Sequence, residues 1–390
     1  MKIAVVVNTL KIGGMERVAV NLADAFYEAG YSTDLIYLKN RKKEIEPRNT
    51  NIPVRLFNLK KSVLCSGIGI FWLIACQLLN IMFRKTFPIW FAYAEAIAFK
   101  KQLESLEKKS GKFDLVIFRG QGTFEHLWPV QDSRFIYVCE NVQKKHMYGK
   151  LSKWIFTKLF KNRNVVCVSD GALNSFMDMA KTHQITANKV ITLNNPNDFT
   201  KIKEDAGRVT QPLHPKPFIL GLGRLAPQKN FSLLVEAYHQ IILQNDIEHD
   251  LIIVGAGKDL ANIEATIERL KLSKRVFFKG QQTNPFPWYQ QADLFVLSSK
   301  FEGLGMVLIE ALACGTKVVS TDSQGGIRQI MNGQLEPFIA KETPEALAEK
   351  MNLALKLKWN QTFSDFVQAT LNKFDGKIIV KQYINEFISV

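Results

Sequence analysis

Apolar runs of strand length alternate with segments of helical period along nearly the whole chain, a pattern that few folds can satisfy. Strand, crossover helix and parallel strand in repetition bury both faces of a sheet, so the pattern predicts an α/β, doubly wound architecture. The first half offers candidate strands at Lys2–Asn8, Ser32–Leu38, Leu115–Phe118, Phe135–Cys139, Val165–Ser169 and Val190–Asn194. The second offers Phe218–Leu222, Leu251–Val254, Val276–Lys279, Leu294–Leu297 and Lys317–Ser320. A length of 390 residues exceeds what one core organises, and each set makes a sheet by itself. Two Rossmann-like domains are therefore expected, at 1–200 and 218–375. Residues 201–217 gather Lys201, Lys203, Glu204, Asp205, Gly207, Pro212, Pro215 and Pro217 without apolar periodicity and read as a linker. Within 376–390, Ile378, Ile379, Tyr383, Ile384, Phe387 and Ile388 predict a terminal amphipathic helix.

Charge is uneven along the chain. Residues 1–200 carry 29 Lys and Arg against 16 Asp and Glu, whereas 201–390 carry 22 against 20. A partner that selects positive charge thus meets the first half; nucleic acid, an anionic membrane surface or a phosphorylated acceptor would each suffice. No nucleic-acid motif accompanies the charge. Val63–Phe83 runs 21 residues without a charge, bracketed by Lys60/Lys61 and Arg84/Lys85. A transmembrane span here would put the strands at Ser32 and Leu115 on opposite sides of the bilayer, splitting one sheet. A buried crossover helix and an interfacial helix are the other readings; the interfacial one, with Trp72, Phe87 and Trp90, also accounts for the charge asymmetry. The apolar run Ile3–Val7 is too short for a secretory signal, and the five scattered cysteines argue against a disulfide framework. The location expected is cytoplasmic, peripheral on an anionic membrane surface through residues 60–101.

Three segments carry candidate chemistry. Gly13-Gly14 lies between the first strand and a helix, where backbone N–H groups can approach an anion with the helix dipole behind them. A tight turn would explain the same pair. Gly221, Gly223 and Ala226 satisfy a relaxed dinucleotide fingerprint. Against it, Pro227 falls where a phosphate-binding helix should already run. Arg224 and Lys229 flank the turn as well, and fixed cations suit a departing diphosphate better than a resting dinucleotide. Strongest is Phe301 to Gly315, where Gly303 and Gly305 open a turn, a helix starts near Met306, and Glu302 and Glu310 stand eight residues apart. Free N–H donors between two carboxylates suit a sugar nucleotide: the amides take phosphate, one carboxylate takes vicinal ribose hydroxyls, and the other faces the sugar. The plainer alternatives are a solvated Glu302 and a Glu310 that serves the helix dipole, though Glu310 sits among apolar neighbours.

These segments resemble glycosyltransferase family 4 along essentially the whole chain. The resemblance rests on Gly13-Gly14-Met15-Glu16-Arg17, Val168-Ser169-Asp170-Gly171, Asn195-Pro196, Gly223-Arg224-Leu225 with Lys229-Asn230, Val254-Gly255-Ala256-Gly257, and Glu302 through Glu310. It implies a GT-B fold, two Rossmann-like domains facing each other across a cleft with the terminal helix crossing back to the first. It also implies retaining transfer of a hexose or N-acetylhexosamine from a nucleotide sugar, UDP-linked, to a membrane-associated glycan or glycolipid, as in bacterial lipopolysaccharide, O-antigen or lipid-linked oligosaccharide synthesis. Arg224 and Lys229 would neutralise the diphosphate, Glu310 would hold the ribose, and Glu302 would meet the sugar near its anomeric carbon. The backbone of Gly303, Leu304, Gly305, Met306, Val307 and Leu308 would take phosphate and sugar oxygens, with Gly13, Gly14 and Gly255 completing the donor site and the base against Phe278–Gln281, including Gly280 and Gln281. A phosphate oxygen would take the acceptor proton, and neither metal nor cofactor is expected. Where the family often carries histidine, this chain reads Glu140-Asn141; these join Glu16 and Arg17 as acceptor-side candidates. A sugar-nucleotide epimerase of the same fold, or a nicotinamide oxidoreductase, are the alternative enzymes.

Overall fold

The computed structural model describes residues 1–84, 86–245 and 247–388. Contacts divide the chain into two compact units, one of Met1–Asn197 plus the chain from Gly376 onward, the other Asp198–Asp375.

The first unit holds β1 (Lys2–Val7), β2 (Ser32–Tyr37), β3 (Val54–Leu56), β4 (Leu115–Arg119), β5 (Phe135–Cys139), β6 (Asn164–Cys167) and β7 (Lys189–Thr192). All pair in parallel, in the order β3-β2-β1-β4-β5-β6-β7. β1, β4 and β5 are almost fully buried, so they read as continuous apolar runs without alternation. Helix Gly14–Glu28 follows β1. Helix Gly376–Phe387 packs on it through Phe26 and Tyr383, whose ring centroids lie 6.0 Å apart. The terminal helix thus belongs to the first unit; residues 389 and 390 of the expected segment, like Lys85, lie outside the described residues.

The second unit continues with β8 (Phe218–Leu222), β9 (Asp250–Val254), β10 (Val276–Phe278), β11 (Leu294–Leu297), β12 (Lys317–Thr321) and β13 (Ile339–Ala340), again all parallel, in the order β10-β9-β8-β11-β12-β13. In both sheets the strand order reverses at one point, between β1 and β4 and between β8 and β11. A crevice at the carboxyl ends of the strands is the binding place that such a reversal creates.

Two details differ from the sequence reading. β3 and β13, of three and two residues, are edge strands too short to show periodicity. The segment expected as a linker begins in helix Phe199–Ala206, which opens the second unit with Asp198 as N-cap, its side chain accepting from Lys201 N. The chain beyond this helix is fastened to the same unit: Gln291 donates to the carbonyls of Val209 and Gln211 and accepts from Leu213 N.

The uncharged stretch 63–83 is neither a span nor a buried crossover. It breaks after helix Leu59–Leu64 and resumes as helix Gly69–Met82, where only Gly69 and Cys76 are buried. No helix among the described residues is long and apolar enough to cross a membrane.

Candidate active site

Loops at the carboxyl ends of β8, β9 and β11 converge because backbone stitches them together. Gly223 N donates to Val254 O, Gly255 N to Gly280 O, Leu225 N to Ala256 O and Asp259 N to Leu225 O, at 2.8 to 3.1 Å. Gly255 has φ of 145°, and a Cβ there would overlap the carbonyl of Gly223, so only glycine permits the approach. The β8 loop is sewn to the β11 loop in turn. Lys300 N donates to Gln228 O (2.8 Å), Gln228 Nε2 to Phe301 O (2.7 Å) and Ser298 Oγ to Lys229 O (2.9 Å).

That stitching sets Lys229 Nζ 2.7 Å from Glu302 Oε1, both side chains largely buried. Sequence put these residues 73 apart into one site, and the structure brings them together as an ion pair. Arg224, on the same loop, is exposed, and its side chain makes no hydrogen bond or ion pair among the described residues. Beyond Glu302 the chain turns through Gly303, Leu304 and Gly305 into helix Met306–Ala313. Gly305 is its N-cap with φ of 95°, and no side chain caps the helix. N–H groups in the first turn that no side chain caps, with the positive end of the dipole, are the features that suit a helix terminus to an anion. Leu308 N closes the turn on Gly305 O, and Met306 and Val307 are half-buried at its mouth.

Glu310 is buried one turn inside that helix, where the hydroxyl of Tyr289 donates to its Oε2 at 3.2 Å. Tyr289 is itself sealed in the core, its carbonyl accepting from Thr316 Oγ1 (2.6 Å). Sequence reasoning missed Tyr289; it lies 21 residues before Glu310 in a short helix, Phe286–Gln291, with no motif around it. Behind Glu310, burial and the Glu310 charge push the Cys314 thiol up to about 12, which keeps it protonated and unreactive at neutral pH. Gly280 and Gln281 are exposed on the loop after β10.

The remaining candidates belong to the first unit. Gly13 is the extended N-cap of helix Gly14–Glu28. Glu16 folds back over that terminus: Thr9 Oγ1 donates to its Oε1 at 2.8 Å, and a Cβ on Gly13 would meet its Oε2 at 2.5 Å. The Glu16 carboxylate thus serves its own helix dipole, beside an exposed Gly14 and a half-buried Arg17. Glu140 faces inward. Its Oε1 lies 2.6 Å from Nη2 of the fully buried Arg119, which also donates to Asn195 Oδ1 at 2.6 Å, and Asn195 Nδ2 donates to Glu140 Oε2 at 3.3 Å. Burial pushes the Glu140 carboxyl above its ordinary value, and Arg119 and Asn195 pull it back. Asn141, next along, is exposed. Among the described residues no three His, Cys, Asp or Glu side chains group as metal ligands.

The fold is that of a GT-B chain: two parallel-sheet Rossmann-like units, the second with an uncapped helix terminus next to the Lys229–Glu302 pair. Residues 203–370, within the second unit, match the family described as "Glycosyl transferases group 1". A curated relative, N-acetylgalactosamine-N,N'-diacetylbacillosaminyl-diphospho-undecaprenol 4-alpha-N-acetylgalactosaminyltransferase of Campylobacter jejuni, is 29% identical over 187 residues, 48% of this chain and 49% of that one. The lipopolysaccharide core biosynthesis glycosyltransferase LpsE of Rhizobium meliloti is 30% identical over 167 residues, 43% and 46% of the two chains. The match thus spans about half the length of these relatives. The crystal structure of Anabaena Alr3699/HepE with UDP and glucose covers all of both chains at 18% identity with a TM-score of 0.72, and that of TarM covers 100% of this chain at 16% and 0.70.

Two substitutions test this geometry. Tyr289→Phe removes the hydroxyl on Glu310 and, with UDP as the ligand proposed below, is expected to weaken its binding about threefold to tenfold by calorimetry, with the melting temperature nearly unchanged; unaltered affinity would show that Glu310 needs no such support. Glu140→Ala strands the Arg119 guanidinium and is expected to cost about 3–5 kcal/mol in denaturant unfolding, where a loss below about 1 kcal/mol would mean that Arg119 is otherwise neutralised.

Proposed function

We propose that the chain is a retaining glycosyltransferase of family 4 that moves a hexose or N-acetylhexosamine from a UDP-sugar to a glycan or glycolipid acceptor at a membrane surface. The observation that carries this reading is the uncapped terminus of helix Met306–Ala313 set between Glu302 and Glu310, with Lys229 on Glu302 and Arg224 beside it on the same loop. Free amides and two cations take the diphosphate, in the place a divalent metal ion would otherwise fill. Glu310, held by Tyr289, takes the ribose hydroxyls.

Lys229 has two states in this scheme. Without donor it neutralises Glu302; the arriving diphosphate takes over its ammonium and frees the Glu302 carboxylate for the sugar. The C1–O bond to the nucleoside diphosphate then breaks with its electron pair on the leaving phosphate. Positive charge develops on the ring, the acceptor oxygen attacks from the face just vacated, and a phosphate oxygen takes its proton. Arg224 and Lys229 act on the charge that grows as the bond breaks, so they bear on the transition state more than on the ground state.

Similarity supports the choice of donor and acceptor class. The HepE crystal structure is of a complex with UDP and glucose, and the curated relatives act, by name, in lipopolysaccharide core and diphospho-undecaprenol glycan synthesis. The test is turnover of UDP-sugars by the full chain. Arg224→Ala and Lys229→Ala are each expected to lower kcat about 10²- to 10³-fold, and Glu310→Ala to weaken UDP binding about tenfold or more. Wild-type rates in either cation variant would remove the diphosphate assignment.

A further inference from the structure

Helix Gly69–Met82 shows solvent an apolar face that nothing among the described residues covers. Ile70, Phe71, Ile74, Leu78, Ile81 and Met82 are each at least half exposed. At 100° per residue these six fall within one arc of about 120°, a continuous stripe along the helix. Ile68 prolongs it at one end and Phe83 at the other, both exposed. An apolar stripe of this extent on a monomer marks a surface of interaction.

The opposite flank is firmly seated. Trp72, Leu73 and Cys76 pack toward the core of the first unit, and Trp72 meets Tyr93 of helix Phe87–Ser110 edge to face at 6.4 Å. Asn80 Oδ1 accepts from the backbone N–H of both Thr86 and Phe87 at 3.0 Å, and Trp90 Nε1 donates to Thr86 Oγ1 at 2.8 Å, pinning the turn between the two helices. The stripe is therefore preformed.

Charge selects the occupant. Between Glu46 and Glu95 the sequence holds no carboxylate, while Lys60 and Lys61 before the stripe and Arg84 after it are exposed cations. Two copies paired stripe to stripe about a twofold axis would bring these like charges together. An anionic bilayer offers what the surface lacks, an acyl boundary for the stripe and phosphates for the cations. At 1.5 Å per residue the helix is about 21 Å long, too short to span the core of a bilayer but suited to lying in its surface.

We propose that helix Gly69–Met82 inserts this stripe into the interfacial layer of an anionic membrane, lying in the membrane plane, with Lys60, Lys61 and Arg84 on lipid phosphates. It deepens the membrane location proposed above and rests on it, but not on the transfer reaction. Insertion by one helix flank sets the first unit at a fixed depth, so an acceptor carried by the same bilayer is met at a fixed height.

The test is co-sedimentation of the full chain with phosphatidylcholine vesicles, with and without phosphatidylglycerol. Wild-type protein is expected to bind the anionic vesicles, less so as salt rises, and to bind phosphatidylcholine alone weakly. Phe71→Asp/Leu78→Asp is expected to lower the partition coefficient about tenfold or more, and the milder Phe71→Ser/Leu78→Ser by a smaller factor. Both positions are exposed, so circular dichroism and UDP affinity should match wild type. Unchanged partition of the variants overturns the proposal. So does a wild-type dimer, seen by light scattering, that these substitutions split while vesicle binding persists. Vesicle binding by a chain that takes up no UDP would uphold the docking and sink the transferase reading.

Discussion

The close pass of Gly255 beneath the carbonyl of Gly223 is the contact on which the second unit's chemistry depends. It draws the β9 loop against the β8 loop, and four backbone hydrogen bonds hold the pair in register with the loop after β10. The β8 loop can then lie flat enough to be sewn to the β11 loop at Gln228 and Lys229. Side chains on independent loops would lose conformational entropy each time they converged on a ligand. Here the convergence is already complete in the backbone, and only rotamers remain to be chosen.

Two ion pairs of the same chemical kind show how burial divides structure from function. Arg119 is wholly enclosed, and its partner Glu140 nearly so. Separating them would leave a charge in a medium that cannot solvate it, so the pair is fixed once the first unit folds. Lys229 and Glu302 keep 15% and 10% of their side-chain surface exposed. Water or an incoming anion can reach that pair, and in the proposed scheme phosphate, carrying more charge than a carboxylate, competes for the ammonium. The difference also sets Glu140 apart from Asn141, the position where the sequence resemblance implies a histidine. Its carboxylate is occupied by Arg119 and Asn195, and Asn141 is the residue turned outward.

The sheets are legible from sequence because a parallel strand covered on both faces needs apolar residues at every position, and Phe135–Cys139, Phe218–Leu222 and Leu294–Leu297 supply them without interruption. The segment 201–217 escapes such a reading for the complementary reason. Helix Phe199–Ala206 buries only Ile202, Asp205 and Ala206, and the stretch after it is held by hydrogen bonds from Gln291, roughly eighty residues away. Neither leaves an apolar period. The site divides along the same line. Glu302, Glu310, Arg224 and Lys229 lie in local motifs whose spacing suggests a phosphate-binding turn, whereas Tyr289 is an apolar-looking residue whose one polar atom matters only through the packing of helix Phe286–Gln291 on helix Met306–Ala313.

Residues 63–83 pose the hardest case for sequence, and physics explains why. A helix apolar on every side has no amphipathic period, so hydropathy cannot distinguish a span, a core element and a surface wedge. The distinction lies in which arc the neighbouring elements cover, and that is a tertiary fact. Here helix Phe87–Ser110 covers the flank of Trp72, Leu73 and Cys76, and the turn at Cys65–Gly67 breaks the stretch before it can reach spanning length. The arc left over could not have been reduced by repacking, because residues on opposite sides of a helix cannot face the same neighbour. An apolar arc with exposed cations at both its ends is the combination that the proposed anionic bilayer would match.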